Sequence, residues 1–321
     1  MREPSRVFLK GLFSMDYIKD YFLDFIKIPE EGKKAVLECE KTLFENITSE
    51  EISSLIDEYM ASPESAPDGV FPRLDEIAEK IGVSDKTLSW LFIAMCAERL
   101  EKIYKEKNIP HEYFHDAMYD LNCKIHECYE VHGVWGVGSS RNWYDGFFNL
   151  TRFGIGRLSY DIYKYDMDYT LGGVTAHPGD TVLRIHIPSA GPLTKELRDD
   201  SYRRAYEFFK EYAIDGVLFY HCTSWLLSKF HYDLLPPSSN IRSFMEDFDL
   251  QDGTEAETKN VLWRIWGHNA SLPTKDLPEH NSLMRAYKKL LLDGKPLIWG
   301  RGIFAFDGKN YLRSDGAHPT L

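Results

Sequence analysis

Apolar residues recur at three- and four-residue intervals through most of residues 16–132. Ile52, Leu55, Ile56 and Tyr59 make one such stripe. That period places them on one side of an α-helix. The pattern predicts helices over 17–28, 31–45, 49–60, 74–81, 86–107 and 111–132. Start signals agree, with Thr48 and Ser49 before Glu50-Glu51-Ile52 and Ser84 before Lys86-Thr87-Leu88. Residues 61–69, Ala-Ser-Pro-Glu-Ser-Ala-Pro-Asp-Gly, form the clearest internal loop.

Beyond Gly133 the period shortens. Gly133, Gly136 and Gly138 lie close together, and aromatic, β-prone segments follow. Residues 147–160 and 160–170 predict an antiparallel pair. Residues 181–187 alternate and stop at Pro188, as a strand does. A helix over 193–212, an apolar strand over 217–223 and a helix over 238–248 come next. Apolar segments 261–266 and 297–306 flank a last helix over 283–293. Strands interleaved with helices after an all-helical region predict an α+β chain. The expected division is a helical domain over 1–135 and a mixed-sheet domain over 136–321.

Length and charge narrow the function classes. The 321 residues suit two domains. With 38 Lys+Arg against 50 Asp+Glu the net charge is −12, which argues against nucleic acid or a membrane surface as partner. No apolar run approaches the roughly 20 residues of a membrane span. The first residues show no cleavage signal, so a cytoplasmic protein is expected. The five cysteines, Cys39, Cys96, Cys123, Cys128 and Cys222, form no CxxC pair. That predicts reduced, mostly buried thiols.

Four local signals carry candidate chemistry. His111-Glu112-Tyr113-Phe114-His115 fits H-E-x-x-H, in which two histidines one helical turn apart hold zinc and the Glu is a base. Here the motif opens its helix after Pro110. His126 lies about 16 Å further along, at 1.5 Å per residue, too far to complete the site. The same residues also make an ordinary polar helix start. Residues 74–89 outline a helix-turn-helix, but 84–98 offer only Lys86 as a cation against Asp85 and Glu98. A core helix fits better than a DNA-reading one.

The third signal runs from Thr181 to Glu196. A strand ends in a loop of small residues that opens a helix, a form that can cradle phosphate on main-chain N–H groups. Ile187, Ser189, Ala190, Gly191 and Leu193 are the candidate phosphate-binding residues, since Pro188 and Pro192 have no N–H. Alternation puts Val182, Arg184 and His186 on one face and Leu183, Ile185 and Ile187 on the other. The fourth signal, Tyr220-His-Cys-Thr-Ser-Trp-Leu-Leu227, brings His221, Cys222, Thr223 and Ser224 to a strand end. His221 and Cys222 are neighbours on a strand and point to opposite faces, so they cannot pair directly.

The third and fourth signals together resemble a bacterial acyltransferase-domain family. Its members carry a helical N-acyltransferase N-terminal domain and a GNAT-like C-terminal domain. The matching residues are Ile185-His186-Ile187-Pro188, Gly191-Pro192-Leu193, 201–209, Cys222-Thr-Ser-Trp-Leu-Leu227, Leu235-Pro236, Ser239-Asn240-Ile241, Leu277-Pro278 and Ser282-Leu283. The resemblance implies a GNAT-like mixed sheet flanked by helices and an acyl-CoA co-substrate, acetyl-CoA first. It places the CoA pyrophosphate at 189–193. It also implies that strand 217–223 splays from strand 181–187 to admit the pantetheine arm. The usual Q/R-x-x-G-x-G/A phosphate motif is absent after Ile187.

The implied reaction is N-acylation of a small-molecule or peptide amine, without a metal. His186 is the candidate general base, and Cys222, Ser224 and Tyr232 are candidate acids. Two alternatives remain: a zinc hydrolase on His111, Glu112 and His115, and a non-enzymatic protein that binds CoA or another ligand in a GNAT-shaped cleft.

Overall fold

A computed structural model describes residues 15–138, 141–314 and 316–317. The reading of the extreme N-terminus lies outside these residues. The chain forms two compact units, Met1–Gly154 and Ile155–Leu321.

The first unit is helical. A helix over residues 15–25, which widens to a π-turn at Ile18–Phe22, is α1. Then come α2 (Glu30–Asn46), α3 (Ser49–Ala61), α4 (Val70–Ile81), α5 (Asp85–Glu106) and α6 (His111–His132). The expected caps form. The Thr48 hydroxyl accepts from the Glu51 N–H, and Ser84 accepts from Lys86 and Thr87. Gly82 and Gly133 end α4 and α6 in the left-handed region, at φ 71° and 67°. Trp90, Leu91, Phe92, Ile93, Met95 and Cys96 are all buried, so α5 is the central helix of the unit. That burial removes the helix-turn-helix reading, because a recognition helix needs an open face.

The helical unit extends past the expected boundary near residue 135. The Val137 N–H donates to the Lys86 carbonyl, and the Thr87 hydroxyl donates to the Trp135 carbonyl. Arg141 binds Asp75, and the Trp143 indole donates to Asp120. Instead of a strand from residue 147, a 3₁₀ turn (Arg141–Tyr144) leads into a short helix, α7 (Asp145–Phe148). Tyr144 and Phe147 are fully buried.

The second unit is built on a mixed sheet. Its strands are β1 (Arg152–Ile155), which carries the chain across the division, β2 (Leu158–Lys164), β5 (Thr181–His186), β6 (Leu218–Ser224), β7 (Asp249–Glu255), β8 (Ile298–Phe306), β9 (Tyr311–Arg313) and β10 (Gly316–Ala317). The order is β1-β2-β5-β6-β8-β9-β10, with β7 also paired to β8. A separate hairpin joins β3 (Tyr169–Leu171) to β4 (Val174–Ala176). All five cysteines are free and buried.

One pair in the sheet is parallel. β5 and β6 run side by side, while β2–β5 and β6–β8 are antiparallel. Parallel strands need a crossover, and α8 (Lys195–Phe209) supplies it. This helix covers one face through Ser201, Tyr202, Ala205 and Phe209, which are buried against Tyr160, Tyr220 and Phe304. On the opposite face Val182, Phe219, Ile303 and Ala305 pack with Leu171 and Ala176 of the β3–β4 hairpin. The apolar segment 261–266 lies in a helix, α11 (Thr258–Trp266). Short helices α9 (His231–Leu234) and α10 (Asn240–Met245) precede it, and α12 (Ser282–Leu292) follows.

Candidate active site

The parallel pair is unusually short. β5 and β6 register at Leu183 with Tyr220 and at Arg184 with His221, and the pairing stops there. β5 continues to His186 and β6 to Ser224 without meeting each other again. Each keeps its outer neighbour. His186 still faces Ser159 of β2, and Cys222 to Ser224 still face Gly302 to Gly300 of β8. The sheet therefore opens between the carboxyl ends of two parallel strands, where α/β sheets accept ligands.

Register decides which side chains line this opening. Asp161 lies opposite Arg184, and Ser159 lies opposite His186. Paired residues share a face, so Asp161, Arg184, His186, His221 and Thr223 stand on the hairpin face. His186 Nε2 is 2.8 Å from Asp161 Oδ2, and both side chains are mostly buried. A carboxylate on one ring nitrogen fixes the tautomer and strengthens the imidazole as a base. The Arg184 guanidinium lies 3.7 Å above the Tyr163 ring, a cation–π contact.

The loop after β5 is held from below by a residue that the sequence pattern did not reveal. Arg157, in the turn before β2, is buried and donates to three carbonyls: Pro188 at 2.8 Å, Gly191 at 2.8 Å and Pro192 at 3.1 Å. In a trans peptide plane the carbonyl and the following N–H point in opposite directions. The N–H groups of Ser189 and Leu193 therefore turn away from Arg157. Gly191 sits at φ 86°, a left-handed conformation that suits glycine. Ser189 and Gly191 are exposed, Ile187 and Ala190 are half-buried, and the Leu193 side chain is buried. Arg198, fully buried in α8, fixes the far end by donating to the Leu193 carbonyl and to Asp247.

The other sequence candidates fare differently. Cys222 is fully buried on the α8 face, with Tyr220 and Gly302, and so on the wrong side of the sheet for His186. Burial pushes its thiol up, away from any useful acidity. Ser224 is buried and spends its hydroxyl capping a 3₁₀ turn, accepting from the Leu226 N–H at 3.2 Å. Tyr232 is exposed in α9 with the Arg242 guanidinium over its ring, and burial of part of the ring raises its phenol. Of the four candidates, His186 is the one on the hairpin face at the opening.

The zinc reading lacks its ligands. His111 Nε2 is 2.7 Å from Glu101, and His115 Nδ1 is 3.3 Å from Asp116. Phe25 packs on both rings. Among the described residues no group of three His, Cys, Asp or Glu is placed to hold a metal. Nor is any described helix long and apolar enough to cross a membrane.

Comparison with known proteins follows the same two-part division. Residues 19–150 match the N-acyltransferase N-terminal domain family, and residues 152–304 match the GNAT-like C-terminal domain family. The chain belongs to the proteins that join these two domains. The family assignment accounts for the α+β layout: helices first, then a mixed sheet with flanking helices. No curated protein matches the chain. Among solved structures, an acyltransferase in complex with decanoyl-CoA and teicoplanin superposes with a TM-score of 0.66 at 18% identity, covering 92% of this chain and 89% of that one. An acyltransferase mutant in complex with octanoyl-CoA gives the same TM-score at 17% identity, covering 91% and 88%. At that identity the likeness concerns the fold.

Two of the residues that shape the opening escaped sequence reasoning. Asp161 sits on β2 in an unremarkable Ser-Tyr-Asp-Ile-Tyr run and meets His186 only through strand register. Arg157 follows a tight turn at Gly156, φ 63°. The sole local hint was that turn, Gly154-Ile155-Gly156-Arg157.

Proposed function

We propose that the protein is an acyl-CoA-dependent N-acyltransferase, working in the opening between β5 and β6. The observation that carries the reading is the parallel pairing that stops at Arg184 and His221, in a chain of this family. An extended pantetheine arm fits a gap between parting strands, because their inner edges offer main-chain groups to its amides. The 189–193 loop, with its carbonyls turned to Arg157, presents N–H groups to the pyrophosphate.

His186 serves as general base. Asp161 orients the ring through Nε2, and the imidazole takes the amine proton. The amine attacks the thioester carbonyl carbon, the C–S bond breaks, and sulfur leaves with the electron pair. A thiol has an ordinary pKa of about 8.5, so CoA thiolate is a good leaving group. Protonated His186 can return the proton to it. No dedicated acid is required, which agrees with where Cys222, Ser224 and Tyr232 lie.

The donor class is an acyl-CoA. Acetyl-CoA was the expected member, and the structural neighbours hold octanoyl- and decanoyl-CoA, so chain length is the first variable to test. The acceptor is a small-molecule or peptide amine. One neighbour holds teicoplanin, a glycopeptide, which makes amine-bearing glycopeptides a rational part of the acceptor panel. The experiment is thermal unfolding with CoA and with acetyl-, octanoyl- and decanoyl-CoA. At 100 times its Kd a ligand adds roughly 2.7 kcal/mol. No shift with any acyl-CoA at millimolar concentration defeats the reading. A shift without acyl transfer to any amine favours a ligand-binding protein of this shape.

A further inference from the structure

His221 is a buried polar group for which the scheme above has no task. Only 5% of its surface is exposed, yet neither ring nitrogen has a hydrogen-bond partner. Its buried counterpart His231 shows the ordinary solution, with Nδ1 on the Leu226 carbonyl and Nε2 on the Tyr287 hydroxyl. A buried polar group without a partner is rare and calls for a ligand or a function.

Its place in the fold supplies one. His221 is the β6 member of the last parallel pair before the strands part. It shares a face with Arg184, His186 and Asp161. His186 lies two residues further along β5, so the two histidines are at least about 8 Å apart at Cα, from a rise of ~3.3 Å per residue and a paired-strand spacing of ~4.8 Å that the parting strands exceed. That span suits two side chains that meet one small reacting group from two sides. The Tyr163 ring runs nearly parallel to the imidazole at 6.2 Å, and Tyr165 flanks it at 6.3 Å. Tyr163 and Arg184, on the same face, are half-buried.

We propose that His221 donates a hydrogen bond to the thioester carbonyl oxygen of the bound acyl-CoA. The proposal rests on the acyl-CoA reading above. As the amine nitrogen bonds to the carbonyl carbon, the C=O π pair moves onto oxygen, and the His221 N–H stabilises it there. The pair returns as the C–S bond breaks, and the amine proton goes to His186. Burial, with Arg301 and Arg184 nearby, holds the imidazole down at about 4. At neutral pH it is therefore uncharged and carries one N–H.

A pair of stable analogues tests this without knowledge of the acceptor. One is an octanoyl-CoA ketone with CH₂ in place of sulfur, which keeps the carbonyl in position. The other is the octyl-CoA thioether, which has no carbonyl. Calorimetry is expected to show the ketone bound about tenfold tighter by the native protein, roughly the value of one hydrogen bond. That preference is expected to vanish in His221→Phe and to survive in part in His221→Gln, whose amide still donates. Infrared spectra of the ¹³C-labelled ketone should show the carbonyl band lowered on the native protein and not on His221→Phe. Absence of the preference in the native protein overturns the proposal, as does its persistence in His221→Phe. If the native protein binds neither analogue, the acyl-CoA reading itself falls and this proposal with it.

Discussion

Three carbonyls pointing at one guanidinium define the role of Arg157. Arg157 orients the loop through hydrogen bonds that leave its amides turned outward. Lysine cannot reproduce this, because it lacks the planar fork that reaches several acceptors at once. We expect Arg157→Lys to weaken CoA binding by about tenfold or more while the chain still folds, since carbonyls left without a donor cost about 1–3 kcal/mol. Thermal shift and calorimetry with CoA check both. Unchanged CoA affinity would separate the loop from the donor. At His186 the expected outcome is sharper. His186→Ala should lower acyl transfer by about 10²–10⁴-fold, the usual range for a general base, with acyl-CoA binding retained. Asp161→Asn should give a smaller loss of the same kind, because it disturbs the tautomer while leaving the imidazole in place. Equal turnover in native and His186→Ala protein would end His186's role as base.

Among the elements, β8 shows how closely the sheet is packed near the opening. Gly300 faces Ser224, and a Cβ there would sit 2.0 Å from the Leu227 carbonyl oxygen. Main chain cannot step aside as a side-chain tip can. Gly300→Ala is therefore expected to cost at least about 3 kcal/mol, read as a lowered urea midpoint. A near-native midpoint would mean that the turn after β6 moves freely. The elements also show what a pattern of residues can convey. The helices α2 to α6 were legible to within a few residues, because apolar residues recur along them at helical period, and Thr48 and Ser84 cap the starts of α3 and α5. β5 was legible because one face is apolar and Pro188 follows it. β7 was missed because Asp249–Glu255 is polar and half-exposed, so no alternation marks it. Residues 141–148 were assigned to the sheet domain because tryptophan, tyrosine and phenylalanine favour strands. Here those rings fill a helical core, and tertiary packing overrides the propensity. His186 was legible from alternation within its own strand. Asp161, Arg157 and His221's missing partners were not, since each depends on residues far away in sequence.

The stability of the whole molecule should depend on pH through two buried histidines. Burial lowers His221 and His231 to about 4, from an ordinary value of 6.5. For His231 both ring nitrogens are held, Nδ1 by the Leu226 carbonyl and Nε2 by the Tyr287 hydroxyl, in a site closed to water. The unfolded chain takes up a proton near pH 6.5 and the folded chain only near pH 4. Below pH 6.5 the unfolded state therefore binds more protons, so stability falls with pH through this window and levels off below about 4. Above pH 6.5 the contribution is complete. Each histidine is expected to remove about 2 kcal/mol between pH 7 and pH 5. Burial raises the Asp145 carboxyl to about 7, so it takes up its proton in the folded chain first and opposes this loss over the same window; the comparison between variants is what isolates the histidine. Urea midpoints for the native protein and His231→Gln at pH 7, 6 and 5 make that comparison. The variant starts lower at pH 7, having lost a fitted hydrogen-bond pair, and should then lose stability more slowly as the pH falls. Parallel profiles would mean that His231 takes up its proton alike in the folded and unfolded chains, against the burial that lowers it.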